Sequence, residues 1–150
     1  MNIPIEKISR NRFEDLKSKL VFQDENSTQF ALVGHTSATY CFGWRSAEVE
    51  LEARMIDDQN FSVGVDQFFA IVGIETWNIV MKKHLDCFYM GSTIVEGRVY
   101  FFSEMSTFIY LIEEREFFAE VDHPDVYQEH TIENGRVIVE CMNGDKIVVG

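Results

Sequence analysis

The stretch KKHLDC, Lys82–Cys87, sets an imidazole (His84), a carboxylate (Asp86) and a thiol (Cys87) close together beside two lysines. An imidazole near a thiol can take its proton and leave a nucleophilic thiolate, the chemistry of a cysteine-based enzyme or a reactive small-ligand pocket. In a strand, however, successive side chains point to opposite faces, so His84 and Asp86 share one face and Cys87 the other. The plainer reading is a polar turn followed by a buried cysteine, with His84, Asp86 and Cys87 kept as weak catalytic candidates. DHPD, Asp122–Asp125, offers two carboxylates and an imidazole at a proline turn, a donor set that could hold a cation, although such residues also make ordinary turns. IDDQN, Ile56–Asn60, reads the same way.

The remaining histidines, His35 and His130, stand beside apolar strand-like runs and are expected to pack at strand ends. None of the spacings that mark zinc sites, phosphate loops or serine and zinc hydrolases occurs, so no metal and no cofactor is expected. The acidic run Glu113, Glu114, Glu116, Glu120, Asp122 is broken by Arg115. Glu113, Glu114, Glu116 and Asp122 are the candidate binding residues, as contacts for a basic partner.

Charge supports that assignment. The chain carries 25 acidic and 13 basic residues, a net charge of −12, and the imbalance is concentrated after residue 20. Such a field opposes binding to nucleic-acid phosphates or anionic lipid and draws in basic partners. The length of 150 residues suffices for a core without disulfides or metal, and a single domain is expected, with a helix and loop over 1–28 and a repeated β region over 29–150. Cys41, Cys87 and Cys141 form no CxxC pair and are expected as free, mostly buried thiols. No stretch is apolar for the ~20 residues of a membrane helix, and the first residues lack a signal-peptide core, which points to the cytoplasm.

The elements that must position these residues are mainly strands. Asn11 followed by Glu14 suggests a capping box, and Phe13, Leu16 and Leu20 fall on one face, predicting a short helix over 12–20. AEVELEARM, Ala47–Met55, alternates strictly and predicts a strand with one wet face. ENGR (Glu133–Arg136) and MNGD (Met142–Asp145) place Asn-Gly between apolar runs, the strongest short hairpin signal. They predict strands near 129–133, 136–142 and 145–149, and VEGR around Gly97 is a weaker version of the same turn.

Phe30–Gly34 (FALVG) returns as Phe69–Gly73 (FAIVG) 39 positions later, and Phe108–Ile112 (FIYLI) follows after another 39. A shift of 38 aligns Ile74, Glu75, Tyr89, Thr93, Ile94 and Gly97-Arg98-Val99 with Ile112, Glu113, Tyr127, Thr131, Ile132 and Gly135-Arg136-Val137. A period of ~40 residues with about four short strands per unit is that of a propeller blade. The stretch Gly97–Val121 resembles the blades of pyrroloquinoline-quinone-type and WD-type propellers: glycine turn, apolar strand, small polar turn, aromatic strand, charged turn, strand. It departs from the WD class in lacking Trp-Asp (Trp44-Arg45 and Trp77-Asn78 instead), and Glu113–Glu116 replaces the glycine turn of the quinone class. The expectation is an all-β fold of antiparallel meanders in about three propeller-blade-like repeats with one short N-terminal helix.

Three functions follow as expectations. The preferred one is a small acidic protein-interaction module, in its specific form an immunity or inhibitor protein that occludes a basic partner. The second is an enzyme or small-ligand binder near His84, Asp86 and Cys87. The third is a structural subunit that completes a propeller with its own copy as a homodimer.

Overall fold

Two compact units, Met1–His84 and Leu85–Gly150, make up the chain. The computed structural model describes residues 2–16 and 20–150, and no helix among them is long and apolar enough to cross a membrane. The fold is all-β, 59% strand and 4% helix.

The first unit opens with β1 (Ile5–Ile8), helix α1 (Arg10–Asp15), β2 (Leu20–Gln23), β3 (Gln29–His35) and β4 (Ala38–Trp44), which form a sheet ordered β1-β3-β4-β2. Here β2 runs parallel to β4 and the other pairs are antiparallel. Strands β5 (Glu52–Met55), β6 (Asn60–Val65), β7 (Phe68–Gly73) and β8 (Ile79–His84) form an antiparallel meander. Alternation decides what meets between the two sheets. Ala31 and Val33 of β3, Tyr40, Phe42 and Trp44 of β4, Phe61, Val63 and Val65 of β6, and Phe68, Ala70 and Val72 of β7 form one buried cluster. On the other face of the first sheet, Phe13 of α1 covers Phe30 and Cys41, with ring centroids 4.6 Å apart from Phe13 to Phe30.

Helix α1 differs from expectation in its bounds. Ser9, not Asn11, is the cap, its hydroxyl accepting from the Arg12 amide at 3.2 Å. The helix ends at Asp15, Leu20 already belongs to β2, and residues 17–19 of the expected helix lie outside the described residues. The strand expected over 47–55 is shorter as well. Val49, Leu51, Ala53 and Met55 do face the cluster, yet the ladder begins only at Glu52, opposite Gly64. Its partner β6 stops at Val65, opposite Leu51, and the chain turns there, so residues before Leu51 have no strand to pair with.

The second unit contains β9 (Tyr89–Val95), β10 (Arg98–Ser103), β11 (Ser106–Leu111) and β12 (Glu116–Asp122) as one antiparallel meander. Strands β13 (Tyr127–Glu133), β14 (Arg136–Cys141) and β15 (Lys146–Val148) form a smaller one. Tyr100, Phe102 and Ile109 of the former pack on Val137, Val139 and Cys141 of the latter. The two-residue turns Glu96-Gly97 and Asn134-Gly135 both take positive φ, 49° and 78°, 52° and 76°, as hairpins of this type require. At the second Asn-Gly only Gly144 does, and the connection spans Met142–Asp145, so β14 and β15 are each slightly shorter than predicted.

The 38-residue repeat is therefore positional: the β9–β10 and β13–β14 hairpins are equivalent, residue for residue. The likeness of Phe30–Gly34 to Phe69–Gly73 is not, because β3 begins the central hairpin of its sheet whereas β7 ends that of the next. Both are buried central strands, and that common environment accounts for the shared FA(L/I)VG. Four sheets result, the fourth holding the C-terminal partial repeat.

One polar contact ties the first unit's sheets together. Asp66, buried at the β6–β7 turn with φ 53°, accepts from the amides of Arg45 (3.2 Å) and Ser46 (3.4 Å) just after β4. Asp66→Ala strands both donors and puts an alanine in a left-handed turn, and should lower unfolding free energy by about 2 kcal/mol. Urea unfolding followed by tryptophan fluorescence checks this, since Trp44 and Trp77 both lie in the first unit, and Asp66→Asn should lose less than half as much.

Candidate functional site

The residues of KKHLDC divide between the two units. His84 is exposed at the end of β8, its ring 5.7 Å from that of Phe22, which itself stacks on Phe68 at 4.3 Å. In the second unit Asp86 is exposed and Cys87 half-buried, its Sγ 3.5 Å from the Ser103 hydroxyl. The other thiols, Cys41 and Cys141, are buried, and all three are free. Cys41 donates to the Leu16 carbonyl at 2.9 Å, and burial pushes its thiol up.

In DHPD every group serves the fold. Asp122 accepts from the Ser106 hydroxyl at 3.2 Å and Asp125 from the Asn143 amide at 3.0 Å. His123 is buried, with Nδ1 3.3 Å from the Glu104 carbonyl and Nε2 2.6 Å from the Thr107 hydroxyl. A carbonyl can only accept, so Nδ1 carries the hydrogen and Nε2 accepts from Thr107. Burial holds this imidazole below its ordinary value, opposed by the Glu104 carbonyl and the Asp122 charge. Asp57 of IDDQN accepts from the amides of Gln59 and Asn60, both at 2.8 Å, and so closes its own turn. Among the described residues no three potential metal ligands converge. His35 ends β3, and His130 shares a 2.8 Å hydrogen bond between its Nδ1 and the Tyr127 hydroxyl while stacking on Phe102.

The acidic candidates are arranged along one edge strand. Glu113 and Glu114 are exposed in the β11–β12 turn and Glu116 opens β12. Asp122 closes β12, about 20 Å further along by strand rise. A bulge where the β11 register shifts leaves Phe118 opposite no single partner, 58% exposed with the Arg98 guanidinium 4.9 Å from its ring centre. Charge and a bulge are both devices that blunt a sheet edge.

A second acidic surface escaped the sequence reading. With Val137, Val139 and Cys141 turned inward, the opposite face of the fourth sheet carries Thr131, Ile138 and Val148 in one row and Glu129, Glu140 and Lys146 in the next. Exposed Glu129 sits directly opposite Glu140 on the ladder. The hydrogen bond that a protonated Glu129 carboxyl donates to Glu140, reinforced by the Glu140 charge, raises Glu129 above its usual range, with Lys146 opposing. Like charges facing each other in this position destabilise a sheet. The signal existed in the sequence: counting outward from the two-residue Asn134-Gly135 turn sets Glu129 opposite Glu140, and the bulge at Gln128 lies beyond that pair.

No protein family and no curated protein matches the sequence. Solved structures do. The chain is similar to the computationally designed Ika4 protein, with TM-score 0.55, 11% identity and coverage of 87% of this chain and 88% of that one. It is also similar to BamB from Moraxella catarrhalis, a β-propeller, with TM-score 0.51 and 11% identity over 85% of this chain. The fold is propeller-like. The chain spans 59% of BamB's length, and at this identity the likeness concerns fold alone.

Two titrations test the site's electrostatics. Glu129→Gln removes the like-charge contact and should raise the urea midpoint at pH 7, with no gain below about pH 4, where the carboxyl is already protonated. For His123, the unfolded chain binds a proton near pH 6.5 and the folded one only lower, so acidification from pH 7 to 5 costs stability. In His123→Gln, which can keep the Thr107 hydrogen bond, the thermal midpoint should fall less over that interval.

Proposed function

We propose that this chain is a small acidic protein-interaction module that occludes a basic partner, in the manner of an immunity or inhibitor protein. The observation that supports it is the Glu129–Glu140 pair on the outward face of the fourth sheet. A lysine or arginine entering between these carboxylates would turn a repulsive contact into two charge-assisted hydrogen bonds. Ile138 and Val148 beside the pair, and exposed Met142 beyond β14, supply apolar contact area of the kind that buried interface centres use. Glu113, Glu114, Glu116 and Asp122 form the second acidic patch and contribute chiefly to the rate of encounter.

A homodimer closing over the fourth sheet's face would bring Glu129 and Glu140 against their own copies, so the electrostatics favour a different, basic partner. The enzyme reading has less support: His84 has a groove beside it, but the Cys87 thiol meets the Ser103 hydroxyl rather than an imidazole.

Affinity capture with the tagged chain at low salt, eluted by rising salt, should yield a stoichiometric basic protein. Glu129→Lys with Glu140→Lys should reduce its capture at least tenfold, and Glu113→Lys with Glu114→Lys should slow association while changing dissociation little. Recovery of the chain alone at dimer mass, or capture unaffected by Glu129→Lys with Glu140→Lys, defeats the proposal.

A further inference from the structure

A groove of about 620 Å³ lies in the first unit, bounded by Leu20, Val21, Phe22 and Gln23, all four residues of β2, together with Phe68, Lys82 and His84. Its construction follows from the strand order. β2 and β8 are edge strands of the two packed sheets, and the ladder sets Phe68 opposite His84 and Ala70 opposite Lys82. Lys82 and His84 therefore share the face that carries Phe68 and Ala70 into the core. The stacked rings of Phe22 and Phe68 make an apolar floor, and half-exposed Leu20 extends it.

Two features select an occupant. Among the described residues the ionisable groups lining the groove are Lys82 and His84, and none is acidic, on a chain whose net charge is −12. Asp24, which follows β2, has its own partners: the Asn26 amide and the Arg45 guanidinium, 2.9 Å away, hold its carboxyl low, with a smaller contribution from His84. Second, among the described residues β2 has a ladder on one side only, to β4, so its other edge offers backbone donors and acceptors. An open trough beside a strand edge suits an extended chain, whose main chain can pair with the edge while alternate side chains enter the floor.

We propose that this groove binds an extended acidic peptide segment of another protein, with an aromatic or branched apolar side chain over Phe22 and Phe68 and carboxylates at Lys82 and His84. The site is separate from the acidic face of the fourth sheet and opposite to it in charge, so one chain would hold two partners of different chemistry.

Fluorescence anisotropy of the full chain with a short fluorescein-labelled peptide, alternating glutamate with phenylalanine and valine, tests this at physiological salt. Saturable binding is expected, weakened about tenfold in Lys82→Glu and further in Lys82→Glu with His84→Glu. Arg136→Glu, on the fourth sheet, should leave it unchanged. Lys82 and His84 are exposed, so the variants should fold, which circular dichroism checks. The same peptide with lysine for glutamate should bind far more weakly. Equal affinity for both peptides, no saturable binding, or wild-type affinity in the folded double variant overturns the proposal. Loss of basic-partner capture in Glu129→Lys with peptide binding intact would show the two sites failing or holding independently.

Discussion

Each sheet here has only three or four strands, and within each unit the structure depends on burying one face of one sheet against the other. Three or four strands expose more apolar surface than their own ladder can offset. In the first unit the solution is the alternate-residue cluster of β3 and β4 on β6 and β7, with Tyr40, Phe42, Trp44 and Phe61 fully buried. Tyr40 shows how strictly the polar accounting is kept: its hydroxyl donates to the Gly73 carbonyl at 2.8 Å, so a large ring is buried without stranding its oxygen. Asp66 does the same for two backbone amides that the end of β4 leaves over.

That constraint explains which chemistry-bearing residues became structural. His123, Asp57, Asp122 and Asp125 lie at turns, where backbone amides and hydroxyls lack ladder partners, and each spends its polar atoms there. The groups left on the surface are charged side chains on edge strands and outward faces. The surface chemistry is therefore electrostatic, carboxylates on the second unit's sheets and the Lys82–His84 pair on the first, carried by a scaffold that uses His123, His130 and the buried thiols for cohesion.

The fold was legible where a rule is local. Asn134-Gly135 and Glu96-Gly97 announce hairpins because few residues accept positive φ, and the 38-residue repeat between them is positional for that reason. The parallel pairing of β2 with β4 was not legible, since a four-residue strand carries no mark of its direction or partner. Alternation in Ala47–Met55 found the buried face but not the ladder, because sequence shows which side is apolar and not where a partner ends. The candidate site fared likewise. Acidic character was plain and the Glu129–Glu140 pairing follows by counting from the Asn134-Gly135 turn, whereas the groove between β2 and β8 arises from sheet order.

Helix α1 closes one face of the first sheet, where Phe13 lies over Phe30 and Cys41. The fourth sheet has no such lid among the described residues, and the face turned away from its core mixes Ile138 and Val148 with carboxylates. Anything that came to cover that face would have to bring a cation for Glu129 and Glu140 or see them replaced.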